Sequence, residues 1–444
     1  MHPTRALCVV LSYAKQTIAR SAFAKSVGTL VSASVVAQLV VLAATPLTTR
    51  LYGPADFGAF AVFTAIFALV LVVSSFRYEL AVPLPRSDAN AFGVLSLALC
   101  LNCAVALLVA PAVVIWRAPL AQLLNAPELS DILWILPIAI IGAGSYRAFR
   151  LWAVRRHEFG TIARTRIVQS IAMVVVQIGA GFAGFGGAGL AAGYAVGQTS
   201  GAFRLAAGTG HRFAGTQRSF FARMKYLARR YDRFPKYDVA AALIDTLSVQ
   251  LPNLLLALLF SPAIAGFYML GERVLAVPLG LLSQSIGQVL YARSRKAVEV
   301  GRISELAMKL LLAMSAFLAL PVLIMFLAGE PLFAFAFGEA WREAGLFASW
   351  LTIGLFGQFL FSSISLVLMA TNAQNINLML QSMMLVLRGA ALLYGFVTGS
   401  ALGAIIALSL ANLVGYLFAC VVIIGHTRTH DAKRSAPPLA DGGN

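Results

Sequence analysis

A few ionisable side chains lie deep inside long apolar stretches of this sequence. Arg388 stands alone in an uncharged run, and Asp245, Glu272 and Arg273 lie inside two others. On insertion scales a charge within a bilayer costs about 2.5–3.5 kcal/mol, so such a residue usually faces a cavity or a partner. Guanidinium groups bind phosphates and carboxylates through forked donors. The predominance of arginine therefore indicates anion binding more than cation binding.

The positions of these charges predict different roles. Glu272 and Arg273 are adjacent, so on a helix their side chains point about 100° apart. We expect Arg273 to face a cavity and Glu272 to neutralise a neighbouring helix. Arg388 is expected to line the same cavity because no charged neighbour in sequence explains its depth. Asp245 could pair with Arg273 or Arg388, either as a structural counter-ion or as a proton site.

Four further charges lie near the ends of apolar runs. Arg77 and Glu79 follow one run, and Arg147 and Arg150 lie one helical turn apart at the end of another. The two arginines at 147 and 150 could gather a phosphate group at an entrance, although anchoring at the membrane surface is the simpler interpretation. Arg77 and Glu79 are equally open to an interfacial and a functional role, with Glu79 as a counter-ion.

Metal and nucleophile chemistry has little support in the sequence. All five histidines fall outside the apolar runs, and none is paired with a carboxylate inside the membrane or on an outer loop. The glycine-rich stretch 181–189 follows no strand and lacks the Gly-Lys-Ser/Thr ending of a phosphate loop. We therefore expect no enzyme active site, no metal and no cofactor.

The elements that carry these residues are membrane-spanning helices. Of the 444 residues, 60% are hydrophobic and only 11% are charged, which is too little polar surface for a soluble globule. The runs are apolar all round and close to the roughly 20 residues that a helix needs to cross a bilayer, so strands are excluded. The sequence predicts an all-α integral membrane protein of about twelve spans. We place them at 27–47, 57–76, 91–116, 131–149, two within 167–203, 239–260, 264–291, 309–328, two within 344–387, and 401–425.

The distribution of positive charge predicts the orientation. Alternate connections and the two tails carry 29 of the 34 lysines and arginines, and the opposite connections carry Arg50, Arg117 and Arg342. Because cytoplasmic connections are enriched in these residues, we expect both termini to be cytoplasmic. The net charge of +17 is then a topology signal, and nucleic-acid binding is not favoured.

An internal repeat divides the chain in two. The pentapeptide LYGPA at 51–55 precedes Gly58, and LFSPA at 259–263 precedes Gly266 in the same register, 208 residues later. Six spans in each half make the halves parallel repeats. The predicted segments are an N-terminal tail (1–26), a six-helix bundle (27–205), a basic linker with an amphipathic helix near 220–230 (206–237), a second six-helix bundle (238–425) and a disordered tail (426–444).

Two stretches resemble a known family. TRLYGPADFG at 49–58 and RYELAVPLP at 77–85 resemble the polysaccharide-biosynthesis, O-antigen flippase-like family, as does the segment 266–289. That family belongs to the superfamily of multidrug and toxin exporters and of the peptidoglycan-precursor flippase. The resemblance extends over about residues 20–425.

The resemblance implies a MATE-like fold of two six-helix bundles around a central cavity in the bacterial inner membrane. It implies a flippase that moves an undecaprenyl-pyrophosphate oligosaccharide from the inner to the outer leaflet for O-antigen, lipopolysaccharide or exopolysaccharide synthesis. Its partners would be that lipid-linked oligosaccharide, membrane lipids and polysaccharide polymerase machinery. Of the arginines expected to bind pyrophosphate, Arg273, Arg77 and Arg50 lie in matching stretches. A MATE-type drug exporter and a polytopic glycan polymerase or ligase are the alternatives.

Overall fold

The computed structural model describes residues 28–207, 217–300, 303–365, 367–368 and 373–435. All regular secondary structure among these residues is helical. The predicted tail at 1–26 lies outside the described residues. The helices are α1 (Gly28–Leu51), α2 (Pro54–Val73), α3 (Asp88–Leu123), α4 (Leu129–Arg155, with a 3-10 turn at Leu133–Ile135), α5 (Phe159–Phe182), α6 (Gly186–Thr199), α7 (Ala202–Ala207), α8 (Gln217–Arg230), α9 (Val239–Leu259), α10 (Pro262–Val300), α11 (Ile303–Phe337), α12 (Arg342–Ile364), α13 (Gln374–Val397) and α14 (Ala401–Ser435). We refer to α1–α7 as the first half and to α9–α14 as the second half.

The prediction of an all-helical membrane protein with about twelve spans is confirmed. Eleven helices among the described residues are long and apolar enough to cross a bilayer. The sixth predicted span corresponds to α6, which has 14 residues, and α7. Glycines let α6 pack closely on α5: a Cβ on Gly193 would lie 2.4 Å from the Gln177 side chain. The glycine-rich stretch thus provides a turn and a tight helix contact.

The last helix is longer than expected. We predicted a disordered tail at 426–444, but α14 continues to Ser435, so residues 426–435 are helical. The Asp431 carboxylate accepts hydrogen bonds from the backbone N–H groups of Ile303 (3.3 Å) and Ser304 (2.9 Å), at the start of α11. Because the first N–H groups of a helix have no partner within it, this cap stabilises both helices.

The linker helix predicted near 220–230 is present as α8. Met224 and Leu227 are buried against α3, whereas Lys225 and Arg229 on the other side of the helix are exposed. We call the end of the bundle that carries α8 and residues 74–87 the linker end. Because successive spans run antiparallel, α1 begins and α14 ends at the linker end, so the two described chain ends lie on the same side.

The repeated segments contact each other at the opposite end of the bundle. A Cβ on Gly58 would lie 1.7 Å from the carbonyl oxygen of Pro262, and a Cβ on Gly266 would lie 2.0 Å from that of Pro54. The starts of α2 and α10 therefore cross backbone to backbone, which only glycine permits at these two positions. The pattern that recurs in the sequence is thus a reciprocal contact between the halves.

A tryptophan covers this crossing. Trp341 is 1% exposed, and its indole N–H donates a hydrogen bond to the carbonyl oxygen of Thr49 at 3.0 Å. Its ring meets that of Phe57 edge-on at 4.9 Å and that of Phe267 at 6.0 Å. We call this region, residues 51–58, 260–267 and 338–341, the Trp341 end. It joins the halves through an apolar, tightly packed contact.

An acidic pair, Asp56 and Glu128, lies beside this contact. The Asp56 carboxylate accepts a hydrogen bond from the Gly53 N–H at 2.8 Å at the start of α2. Partial burial, the charge of Asp56 and the hydrogen bond between the two side chains raise the pKa of Glu128. A carboxyl group with a raised pKa in the folded state stabilises the fold at low pH, and that contribution is lost as pH rises through the folded-state pKa.

We therefore expect Glu128→Gln to raise the unfolding temperature at pH 7 to 8, because an amide keeps a donor for Asp56 and carries no charge. The difference from wild type should shrink as the pH falls toward 4.5, because protonation removes the charge of Glu128. Thermal unfolding in detergent across this range checks it. An equal difference at both pH values would mean that the charge of Glu128 is not responsible.

Candidate functional site

A cavity of about 270 Å³ lies between the two halves. Its walls come from α1, α5 and α6 of the first half and from α10 of the second. The described lining residues include two arginines and several neutral polar groups but no carboxylate. The polar ones are Gln38, Arg166, Gln169, Ser170, Tyr194, Gln198 and Arg273.

Arg273 reaches this cavity from the middle of a span. It lies about 16 Å along α10 from Pro262, and its guanidinium is within electrostatic range of Tyr194 across the interface. Glu272 points elsewhere, toward Tyr268 on its own helix and Arg388 in the second half. The two adjacent side chains therefore diverge, as their 100° offset predicted.

Arg166 is a cavity residue that the sequence analysis missed. It precedes the two spans predicted within 167–203, but it lies about 10 Å inside α5 and lines the cavity with Arg273. Its Nε is buried and has no hydrogen-bond partner among the described residues. The available signal was spacing: Gln169 and Ser170 follow at three and four residues, which places all three on one face of a helix.

Two further arginines connect the cavity to the linker end. Arg147 on α4 is within electrostatic range of Glu79, Arg150 and Tyr194, and Tyr194 is within the same range of Arg273. Arg150 is close enough to Arg166 for their charges to interact, and its Nε is also buried without a partner among the described residues. Positive charge is thus continuous from the linker end to the cavity.

Glu79 and Arg77 lie at the linker end, where this row of charged residues begins. Glu79 is 3% exposed and accepts a hydrogen bond from the Ser75 hydroxyl. Arg77 donates from Nε to the Asp238 carboxylate at 2.9 Å, and its charge also acts on Arg147. We call Arg77, Arg147, Arg150, Arg166 and Arg273 the arginine track.

Arg388 does not lie at the cavity, which corrects the expectation from sequence. It is 5% exposed and donates four hydrogen bonds to protein groups of the second half. Its Nε donates to Asn412 Oδ1 at 2.9 Å, Nη1 to the Ser248 carbonyl at 2.7 Å and hydroxyl at 3.0 Å, and Nη2 to the Tyr416 hydroxyl at 2.7 Å. Arg388 therefore ties α9, α13 and α14 together.

Asp245, on α9, lies between Arg388 and the arginine track. Its carboxylate is within electrostatic range of Arg388 and, more weakly, of Arg77. The expected partnership with Arg388 thus exists as a long-range attraction, whereas the direct hydrogen bonds of that guanidinium go to neutral groups. Asp245 and Glu272 both balance the buried charge of Arg388.

The structure does not bring Arg50 to the cavity or to the arginine track. Arg50 is exposed near the end of α1, about 12 Å along the helix from Leu42, which lines the cavity. It lies at the Trp341 end, whereas the arginine track begins at the linker end.

No cluster of three or more His, Cys, Asp or Glu side chains suited to a metal is found within the described ranges.

Solved structures share this architecture. The lipid II flippase MurJ in an inward closed conformation matches with a TM-score of 0.66 and 13% identity, covering 91% of this chain and 90% of that one. An inward-facing multidrug resistance MATE family transporter of the MOP superfamily matches with a TM-score of 0.59 and 14% identity, covering 92% and 96%. A eukaryotic MATE transporter matches with a TM-score of 0.58 and 14% identity, covering 93% and 98%. The fold is therefore MATE-like.

Sequence comparison adds the family. Comparison with curated proteins finds no significant match. A family model described as polysaccharide biosynthesis protein matches residues 47–345, which include the repeated segments, the arginine track and the linker. The chain belongs to this polysaccharide biosynthesis family.

Proposed function

We propose that this protein is a flippase for lipid-linked oligosaccharides in bacterial polysaccharide synthesis. The observation that carries the proposal is the cavity between the halves, which presents Arg166 and Arg273 and no carboxylate among its described lining residues. Guanidinium groups in a site of low dielectric constant bind phosphate through paired, charge-assisted hydrogen bonds. The arginine track would lead the phosphates of the substrate from the linker end to this cavity.

The substrate class is an undecaprenyl-pyrophosphate glycan. The family description concerns polysaccharide synthesis, and one protein of similar fold is a lipid II flippase. A cavity of about 270 Å³ lies just under the usual range of about 300–1,000 Å³ for small-molecule sites. It would therefore take the phosphates and the adjoining sugar, while the prenyl chain stays in the lipid.

The charge distribution supports a direction of transport. We infer that the linker end faces the cytoplasm, because the connections predicted on that side carry most of the lysines and arginines. Both termini would then be cytoplasmic and the protein would lie in the inner membrane. With the cell interior negative, outward movement of an anion is favoured by about 2.3 kcal/mol per charge per 100 mV. Protonation of Asp245 or Glu272 would help the empty transporter to return to the state that faces the cytoplasm. Polysaccharide polymerase machinery would consume the flipped substrate.

A drug exporter of the same fold is the second candidate. Its support is the similarity to MATE transporters, but cationic drugs call for acidic cavity residues and the described lining is basic. A polymerase or ligase would need a sizeable outer loop, and α11 extends to Phe337, so the connection to α12 spans only residues 338–341. We therefore favour transport of an anionic lipid.

Reconstitution tests this proposal. We expect wild-type proteoliposomes to flip a fluorescent undecaprenyl-pyrophosphate oligosaccharide, and Arg273→Ala to be about tenfold slower or worse. Hydrogen bonds to charged groups contribute about 1.5–3 kcal/mol each, which corresponds to that loss. Arg166→Ala should show a similar defect. Arg50→Ala, an exposed arginine remote from the cavity, is the matched control and should flip normally.

Two results would contradict the proposal. If folded Arg273→Ala and Arg166→Ala protein flips at the wild-type rate, the cavity arginines are structural. If wild type does not flip the lipid but exports a cationic dye, the drug-exporter alternative takes its place.

A further inference from the structure

The turn after α2 holds the two halves together at the linker end. Arg77 belongs to the first half, and Asp238 is the last residue of the π-helical turn that leads into α9 of the second half. Their side chains form an ion pair at 2.9 Å. The neighbouring Tyr78 hydroxyl donates to the carbonyl oxygen of Ala228 in α8, also at 2.9 Å. This single turn therefore joins the first half, the linker helix and the second half.

The backbone of this turn is strained. Phe76 and Arg77 have φ angles of 49° and 63°, and neither is glycine. Side-chain-bearing residues rarely adopt positive φ, and such conformations persist only where surrounding contacts hold them. Arg77 is held by Asp238, so loss of that ion pair would leave the turn free to relax.

The ion pair uses only part of the Arg77 guanidinium. Nε makes the 2.9 Å contact with Asp238, and a guanidinium carries five N–H donors in all. The side chains of Arg77 and Asp238 remain 23% and 42% exposed, and a partly exposed ion pair contributes little to stability. The contact can therefore be exchanged for a stronger anionic ligand.

Such a ligand would arrive at this position. Arg77 is within electrostatic range of Arg147, which is in turn close to Arg150. A phosphate bound by these two arginines would lie within electrostatic range of Arg77. Because a pyrophosphate carries more negative charge than the Asp238 carboxylate, it would compete for the same guanidinium.

We propose that Arg77 is a ligand-exchange latch, paired with Asp238 when the site is empty and with a phosphate of the substrate when it is filled. Binding would then break the contact between the halves at the linker end, so that the arriving phosphate opens the entrance from the linker end to the cavity. This inference rests on the proposed function, because it names the group that couples substrate binding to movement of the halves.

The test measures the distance between the halves directly. Spin labels are placed on cysteines at exposed positions of the linker end, Ala89 at the start of α3 and Lys309 in α11, in a chain whose four native cysteines are replaced. Inorganic pyrophosphate is the probe. In wild type we expect pyrophosphate to convert a short label-to-label distance into a longer one.

The variants separate a latch from a passive anchor. Asp238→Asn should populate the longer label-to-label distance without pyrophosphate. The ratio of molecules with the longer distance to molecules with the shorter one should rise about threefold, as expected for loss of a partly exposed ion pair. The exchanged pair Arg77→Asp with Asp238→Arg should restore the short distance. Asp232→Asn is the matched control, because Asp232 pairs with Lys236 of its own segment at 2.5 Å, and it should behave as wild type.

Each contrary result overturns the latch. If Asp238→Asn keeps the wild-type distance, the ion pair does not hold the halves. If pyrophosphate leaves the wild-type distance unchanged, Arg77 does not exchange Asp238 for a phosphate. Flipping of the lipid-linked oligosaccharide is measured separately, so a failure of the proposed function would appear as absent flipping with the pyrophosphate response intact.

Discussion

Replacing Arg388 by alanine will lower the free energy of unfolding by about 3–5 kcal/mol, the range found when one partner of a buried charged network is removed. The guanidinium donates four hydrogen bonds, to Asn412, Ser248 and Tyr416, at a site only 5% exposed. Alanine would leave these acceptors unpaired in the interior. It would also remove the positive charge that faces Asp245 and Glu272.

Unfolding of the purified protein in detergent by denaturant, followed by tryptophan fluorescence, measures this loss. Tyr416→Phe removes only one acceptor and should cost about 1 kcal/mol. Arg388→Lys keeps the charge but not the forked donors of the guanidinium. Its loss of stability should therefore fall between those of Arg388→Ala and Tyr416→Phe. If Arg388→Ala is as stable as wild type but no longer binds pyrophosphate, Arg388 belongs to the substrate site, as the sequence alone predicted.

Alanine at Gly58 or Gly266 will favour conformations in which the Trp341 end is open. The added Cβ would lie 1.7 Å or 2.0 Å from a backbone carbonyl oxygen of the opposite half, a distance that no side-chain movement can relieve. Overpacking of this kind costs about 1–3 kcal/mol. The penalty applies only while the crossing is closed, so the open-to-closed ratio should rise by about 10- to 100-fold.

Labelling of a cysteine at the buried position Ala344, close to Trp341, reports this opening. A membrane-impermeant maleimide should react with it faster in Gly58→Ala and Gly266→Ala than in the parent chain. Gly280→Ala is the matched control on α10, because a Cβ there has nothing within 4 Å. Unchanged labelling of both variants would mean that the Trp341 end does not open during the cycle.

Much of the fold is encoded locally and could be predicted. Runs of about 20 apolar residues identify spans regardless of how they pack, because transfer into a bilayer depends on the composition of each segment. The exception is the sixth span, where the glycine-rich α6 has only 14 residues and its place in the membrane depends on packing against α5. The repeat was also visible, and its reciprocal contact at Gly58 and Gly266 gives it a physical meaning.

The candidate site was predicted only in part. The 100° offset between adjacent helix residues was sufficient to separate Arg273 from Glu272, because it depends on helix geometry alone. Arg166 was missed, since at the sequence level it resembles the other arginines near the ends of spans. Its distinguishing features are its buried Nε and its position opposite α10, which no local pattern contains.

Sequence determined how deep each charge lies, and tertiary structure decided what it faces. Arg388 and Arg273 are similarly deep, yet one donates hydrogen bonds to Ser248, which is 140 residues away in the chain, and the other lines a cavity. Depth follows from position within a span, which is a local property. The partner at that depth depends on which helix faces which, and that is fixed only when the halves pack together.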